Sequence, residues 1–242
     1  MKNKALLPLL LLALTSCGCN GVSIPQLKFG GLNGNVSMTK ESKFDVVEKF
    51  GEVIPDDLNE VIITEYDKDG NQIKYGLYDE DGDFIIKLED TYENNLLVSE
   101  VTYQKYGNKK INSRVVERKK NYIKWLNNEG MDDEYSVELI YDGLSYKGVD
   151  KDGKTTLEVQ CDKKGRMIDQ KSYSNGEIVF RISREFDKDG NLIKTTQYQA
   201  NGDPSVETFT YPEFDKKGNW ITQYTLEDGE VVGITKREIT YR

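Results

Sequence analysis

The feature that most constrains this chain is a short phrase that it repeats. Six times an aspartate stands three residues before a glycine: YDKDGN (66–71), YDEDGD (78–83), VDKDGK (149–154), CDKKGR (161–166), FDKDGN (186–191) and FDKKGN (214–219). Looser copies are YSNGE from Tyr173, YQANGD from Tyr198 and LEDGE from Leu226. Each phrase has a physical reading. An aromatic or β-branched residue ends a strand, the Asp oxygen takes up backbone amides of a tight turn, and Gly occupies a positive-φ position that other residues reach only with strain. Most neighbouring glycines of the series lie eleven to fourteen residues apart. Between Gly82 and Gly153, the pairs Asn94-Asn95, Gly107-Asn108 and Asp142-Gly143 and the run Asn127 to Gly130 keep nearly the same spacing, so the pattern continues with degraded turns.

Between the turns, apolar and polar residues alternate. Ile73, Tyr75 and Leu77 oppose Gln72 and Lys74; Phe84, Ile86 and Leu88 oppose Lys87 and Glu89; Ile178, Phe180 and Ile182 oppose Arg181 and Ser183. A period near twelve, less the turn, leaves strands of about eight residues, and turns this short cannot make parallel crossovers. The expectation is an all-β, antiparallel up-and-down meander of a dozen or more strand-turn units, forming an open or curled sheet or one packed on itself to cover its apolar face. The stretch from Asn35 to Asp67 reads as a longer first hairpin with Ile54-Pro55-Asp56-Asp57 in its connection. A helix between Phe44 and Phe50 is the competing reading there, and Val46 and Val47 argue against it.

The amino terminus sets a different constraint. Lys2 and Lys4 precede an apolar run from Ala5 to Leu14, then Leu14-Thr15-Ser16-Cys17, the layout of an export signal and too short to span a bilayer. Leu-Thr-Ser-Cys resembles the lipobox of bacterial lipoproteins, which implies cleavage after residue 16 and lipidation of Cys17. The alternative is an ordinary cleaved signal that leaves Cys17 and Cys19 as small apolar residues. The domain reading is therefore 1–16 signal peptide, 17–34 lipidated terminus and flexible tether, and 35–242 β-meander. Gly18 after the cysteine implies the outer membrane, and the absence of an acidic run there favours the periplasmic face. With Cys17 acylated, only Cys19 and Cys161 remain, and no structural disulfide is expected.

Loss of the first sixteen residues leaves 31 basic against 42 acidic residues, a formal charge of −11, which disfavours nucleic acid as a partner. The chain has no histidine, so triads of the Ser-His-Asp kind and imidazole metal ligands are excluded. Cys161 occupies a strand-end slot held elsewhere by Tyr66, Tyr78 and Phe186, and reads as a small buried hydrophobe. The acidic tips such as Asp67 to Asn71 suggest calcium only superficially, because neither the spacing nor the flanking helices of an EF-hand are present. No metal or cofactor is expected.

The phrases YDKDGNQIKY, FDKDGNLIKTTQY and the closing FDKKGNWITQYTLEDGEVVGITKREITYR resemble the YD-repeat (Rhs-like) hairpins of bacterial surface proteins and small Gram-negative repeat lipoproteins. The resemblance implies an extracytoplasmic β-sheet module. It does not imply encapsulation of a cargo, for which the repeats are far too few. The functional expectation is a non-enzymatic envelope lipoprotein that meets the membrane through its lipid and offers a sheet surface to a protein, peptide or glycan. Trp125, Trp220, Tyr224 and Tyr75 are the candidate ligand-binding aromatics, since flat rings suit sugars and protein hot spots. The alternatives are a glycan-handling accessory protein or a carboxylate hydrolase, and a scaffold that self-assembles through exposed sheet edges.

Overall fold

The computed structural model describes residues 31–128, 135–199 and 202–242. The expected signal peptide, Cys17, Cys19, the expected tether up to Gly30, residues 129–134 and Ala200-Asn201 lie outside the described residues. The rest is strand and turn. The first hairpin joins β1 (Val36–Lys49) to β2 (Glu52–Tyr66), followed by β3 (Gln72–Asp79), β4 (Phe84–Glu93), β5 (Leu96–Gln104) and β6 (Lys109–Lys119). Next come β7 (Tyr122–Asn127), β8 (Tyr135–Asp142), β9 (Ser145–Val149), β10 (Thr155–Cys161) and β11 (Met167–Ser174). The series ends with β12 (Glu177–Phe186), β13 (Leu192–Gln199), β14 (Ser205–Phe214), β15 (Trp220–Glu227) and β16 (Glu230–Tyr241).

Every strand pairs antiparallel with its sequence neighbours, as the short turns require. The sheet is nevertheless not open or merely curled: β1 pairs with β16 from Val36 opposite Tyr241 to Phe44 opposite Ile234, closing a sixteen-strand barrel. Closure satisfies both edges of the meander at once, which an open sheet leaves unpaired. It also removes the exposed edges on which self-assembly would rest. The seam is fastened by the last residue. Arg242 donates its backbone N–H to the Asn35 carbonyl at 2.9 Å, its Nη1 to the Val36 carbonyl at 2.8 Å, and its Nη2 to the Tyr66 carbonyl.

The repeated phrase does the work expected of it. In the turn after β2, Asp67 Oδ1 accepts from the backbone N–H groups of Asp69 and Asn71, each at 2.9 Å, while Oδ2 accepts from Asn71 Nδ2 at 2.9 Å. The turns at Asp150, Asp162, Asp187 and Asp215 repeat the two backbone bonds. The first aspartate of each of these turns is thus occupied by backbone amides. The first hairpin departs from expectation. Its connection is Phe50-Gly51, both at positive φ (57° and 82°), while Pro55 lies inside β2 opposite Val46, where the ladder is irregular and a missing N–H is tolerated.

Alternation puts one set of side chains inside the barrel and the other outside. Ile123 and Trp125 on β7 lie opposite Leu139 and Val137 on β8, and all four are buried. With Leu97, Tyr141, Tyr146, Leu157, Val159 and Cys161 they form an apolar core that fills the lumen against the wall from β5 to β10. Burial of each large side chain contributes about 1.5–3 kcal/mol. Ile178 escapes the expected alternation: a bulge at Ser172-Tyr173 pairs it with Tyr173 and leaves it exposed. Cys161 is buried in this core as a strand-end hydrophobe, but it is also disulfide-bonded, against the expectation of no disulfide; its partner lies outside the described residues. Even-numbered strands end at the rim where β1 begins, so Cys161 stands at the rim through which residues 31–35 enter.

The outer wall is charged along the middle of its strands. Cross-strand pairs join Lys40 to Glu238 (3.2 Å), Lys74 to Glu65 (3.6 Å), Lys124 to Glu138 (3.1 Å), Lys171 to Glu158 (3.6 Å) and Arg181 to Asp169 (2.7 Å). Exposed pairs of this kind contribute little to stability, roughly 0–1 kcal/mol each. Their value is diagnostic, because they stand all round the circumference.

Candidate functional site

The apolar core fills only part of the lumen. Against the wall formed by β1 and β12 to β16, charged and polar side chains stand among aromatic ones, and a cavity of about 460 Å³ opens among them. The local cause is parity. Thr39 and Thr64 are buried opposite one another, so Glu41 and Lys43, two and four residues on, face inward too. Each of these charges meets an opposite charge directly across the sheet. Arg237 Nε and Nη2 donate to Glu41 Oε1 at 2.9 and 2.7 Å, and Lys43 Nζ donates to Glu60.

Aromatic rings complete this wall. The Arg237 guanidinium carbon lies 3.2 Å from the centroid of the Trp220 ring, and the Tyr211 ring stands 5.5 Å from the same indole. Tyr211 Oη donates to the Leu192 carbonyl at 2.6 Å and accepts from Gln223 Nε2 at 2.9 Å, and burial pushes its pKa up to about 12. Burial, reinforced by the negative fields of Glu60 and Glu41, also pushes Tyr75 to about 12. Glu207, another lining residue, is shifted upward, first by burial and then by Glu227, with Lys43 opposing.

The four sequence-predicted aromatics therefore divide. Trp220 (8% exposed) and Tyr75 come together around the Glu41 network. Trp125 (4% exposed) belongs to the dry core. Tyr224 lies between Thr210 and Ile234 on a strand whose neighbours Gln223 and Thr225 line the cavity, so it faces outward. Cys17, the expected lipidation site, lies outside the described residues. Sequence reasoning missed Glu41, Lys43, Glu60, Tyr211 and Arg237. Their only signal is parity with Thr39 and Thr64, which a run such as Thr-Lys-Glu-Ser-Lys does not announce.

A second acidic feature is sealed. Asp90 and Glu100 face each other across β4 and β5 on the inner surface, 8% and 3% exposed, and line none of the cavities described here. Gln72 Nε2 donates to Asp90 Oδ2 at 3.2 Å and Thr102 Oγ1 to Glu100 Oε1 at 3.0 Å, while Asp90 Oδ1 has no partner among the described residues.

No protein-family model matches this chain, and no curated protein does. Among solved structures, the barrel is similar to a porin-like protein from Bacteroides uniformis, at a TM-score of 0.50 and 10% identity, over 86% of this chain and 98% of that one. A DUF1329 family protein from Desulfovibrio piger aligns over 85% of this chain and 86% of its own at 10% identity, but its TM-score of 0.29 carries no argument. The first likeness is one of fold. It overturns the YD-repeat resemblance, which rested on phrases that prove to be turn chemistry: any tight connection closed by an Asp carboxylate and a positive-φ Gly would produce them. The outer wall carries cross-strand charge pairs at mid-strand, whereas a bilayer-spanning barrel needs an outward apolar band about 25 Å tall.

Proposed function

We propose that this chain is a non-enzymatic cell-envelope protein that holds a small molecule in the lumen of its barrel, with the outer wall in water and a lipid on Cys17 as the membrane attachment. The observation that carries the reading is the 460 Å³ cavity, within the range of about 300–1,000 Å³ usual for small-molecule sites, walled by aromatic rings and convergent polar groups. The mid-strand charge pairs support a wall facing water, since a charge facing lipid at mid-bilayer costs about 2–4 kcal/mol. The porin-like fold likeness is compatible with the envelope. Asn33, just ahead of β1, exchanges hydrogen bonds with Asn219 at the rim, its N–H donating at 2.6 Å and its carbonyl accepting at 2.9 Å. An anchor upstream would turn that rim toward the membrane.

The test is native mass spectrometry of protein purified from its own cells without denaturant. A stoichiometric small-molecule adduct is expected, and it should be absent from a Thr225→Phe variant, whose new ring would fill the cavity. Protein that carries no adduct, or carries it equally in the variant, would refute a lumenal site.

A further inference from the structure

Strand β14 places three residues in the lining of the lumenal cavity at alternate positions, Glu207, Phe209 and Tyr211. The charged residues that share this lining with Glu207 already have partners. Arg237 holds Glu41 through two donors, and Lys43, whose field reaches Glu207, donates to Glu60. Glu207 alone among the charged lining residues makes no hydrogen bond or ion pair among the described residues. It is half-buried, and its pKa is raised by burial first and then by the field of Glu227, which has no ion-pair partner among the described residues either. The rings divide in the same way. Arg237 lies over Trp220 at 3.2 Å, Arg166 over Phe186 at 4.3 Å, and Tyr211 stands 5.5 Å from Trp220. Phe209 has neither a cation nor an aromatic ring against it among the described residues. The free acid and the free ring are therefore two residues apart on one strand, about 7 Å along it, and line one cavity.

We infer that the lumenal cavity takes a small organic cation, its ammonium group held by Glu207 against the face of Phe209, and the polar groups of its body met by Gln223, Thr225 and Thr235. The assignment rests on the lumenal reading above and narrows it to one charge class. A carboxylate and a ring face are the two partners that suit an ammonium group, the first through a charge-assisted hydrogen bond and the second through the negative face of the π system within about 6 Å. Thr225 stands directly opposite Phe209, so the polar contacts begin beside the ring. An anionic ligand would approach Glu207 and Glu227 with both cations of the lining already matched. A neutral ligand would displace water from Glu207 and leave the carboxylate without a counter-charge, which weakens binding.

The probes are cyclohexylammonium and phenylethylammonium against cyclohexanol and phenylethanol, pairs that share a body and differ in the charge. Each is titrated calorimetrically into the full mature protein at neutral pH, where both amines are protonated. Expected is about a tenfold to hundredfold preference for the ammonium in at least one pair, the range of one charge-assisted hydrogen bond. Glu207→Gln should abolish the preference without lowering the melting temperature, and Glu207→Asp should retain part of it. Phe209→Leu should weaken the ammonium more than its alcohol. Glu238→Gln on the outer wall, which changes the net charge equally, should leave the preference intact. Equal binding of ammonium and alcohol, no response to any of the four, or a preference that survives Glu207→Gln overturns the assignment; the adduct experiment decides separately whether the lumen holds a ligand at all. A melting temperature lowered by Glu207→Gln, non-additively with Lys43→Met, would make Glu207 a structural ion-pair partner and overturn it too.

Discussion

Replacing Asp90 with Asn should make the barrel more stable, and only at neutral to alkaline pH. Asp90 and Glu100 are directly opposed, buried, and without an ion-pair partner among the described residues. Burial first, and the charge of Glu100 second, push Asp90 up to about 8; burial, opposed by the Thr102 hydroxyl, pushes Glu100 up to about 7. Both folded-state values lie above those of the unfolded chain, so the native state binds more protons and stability must fall as pH rises through the interval between them. The fall begins near pH 4 and is complete above about pH 8. Between pH 6 and 9 the pair releases nearly two protons that the unfolded chain has already lost; at about 1.4 kcal/mol per unit this amounts to roughly 4 kcal/mol. The window is clean because the chain has no histidine and Cys161 is bonded. Asp90→Asn removes one titration and lets its amide donate to an ionised Glu100, which should leave a loss of about 1 kcal/mol. Urea unfolding at pH 5, 7 and 9 measures this. The variant should match wild type within about 1 kcal/mol at pH 5 and exceed it by about 4 kcal/mol at pH 9, the three pH units between 5 and the Asp90 value at about 1.4 kcal/mol each. Parallel profiles would show that the carboxyls are not buried together and sink the reasoning.

Leu139→Ala empties the centre of the dry core and should cost about 2–5 kcal/mol by chemical denaturation, whereas Lys124→Ala on the outer wall should change stability by less than about 1 kcal/mol. Asp187→Ala leaves the N–H groups of Asp189 and Asn191 without their acceptor, while Gly190 N–H keeps the Asp187 carbonyl, and faster amide hydrogen exchange confined to the β12 to β13 turn is the expected readout. Arg237→Met strands Glu41 inside the wall and should destabilise by about 3 kcal/mol, most of which Glu41→Gln in the same chain should restore. Cys17→Ser should move the protein from the detergent-rich to the aqueous phase on detergent partitioning. A barrel lying within the bilayer would stay behind.

How much of this could be read from the chain follows from what each feature depends on. Turns at Asp67, Asp79, Asp150, Asp162, Asp187 and Asp215 were legible because their cause is local: one carboxylate and one positive-φ glycine within a few residues. Phe50-Gly51 was not, because Phe at φ 57° carries no turn signature and Pro55 nearby offered a more persuasive one. Closure was illegible for a different reason. It is a contact between residues such as Glu41 and Arg237, almost two hundred positions apart, and no local rule sets that register. The site inherits the difficulty, since its parity depends on bulges such as those flanking Phe44 in β1, and one misplaced bulge sends Lys43 outward on paper.

The two halves of the lumen also explain one another. A sixteen-strand barrel encloses more space than inward side chains can fill unaided. Here the wall from β5 to β10 supplies large apolar residues that fill their share of that space, while the opposite wall supplies charges that cannot be driven into such a core without loss. The paired charges Glu41 with Arg237 and Lys43 with Glu60 hold that second wall open against collapse, and the cavity persists as a consequence of where they stand. Replacing all four with leucine and isoleucine should therefore extend the dry core, raise stability and erase the cavity together, because the same residues that limit the packing make the site.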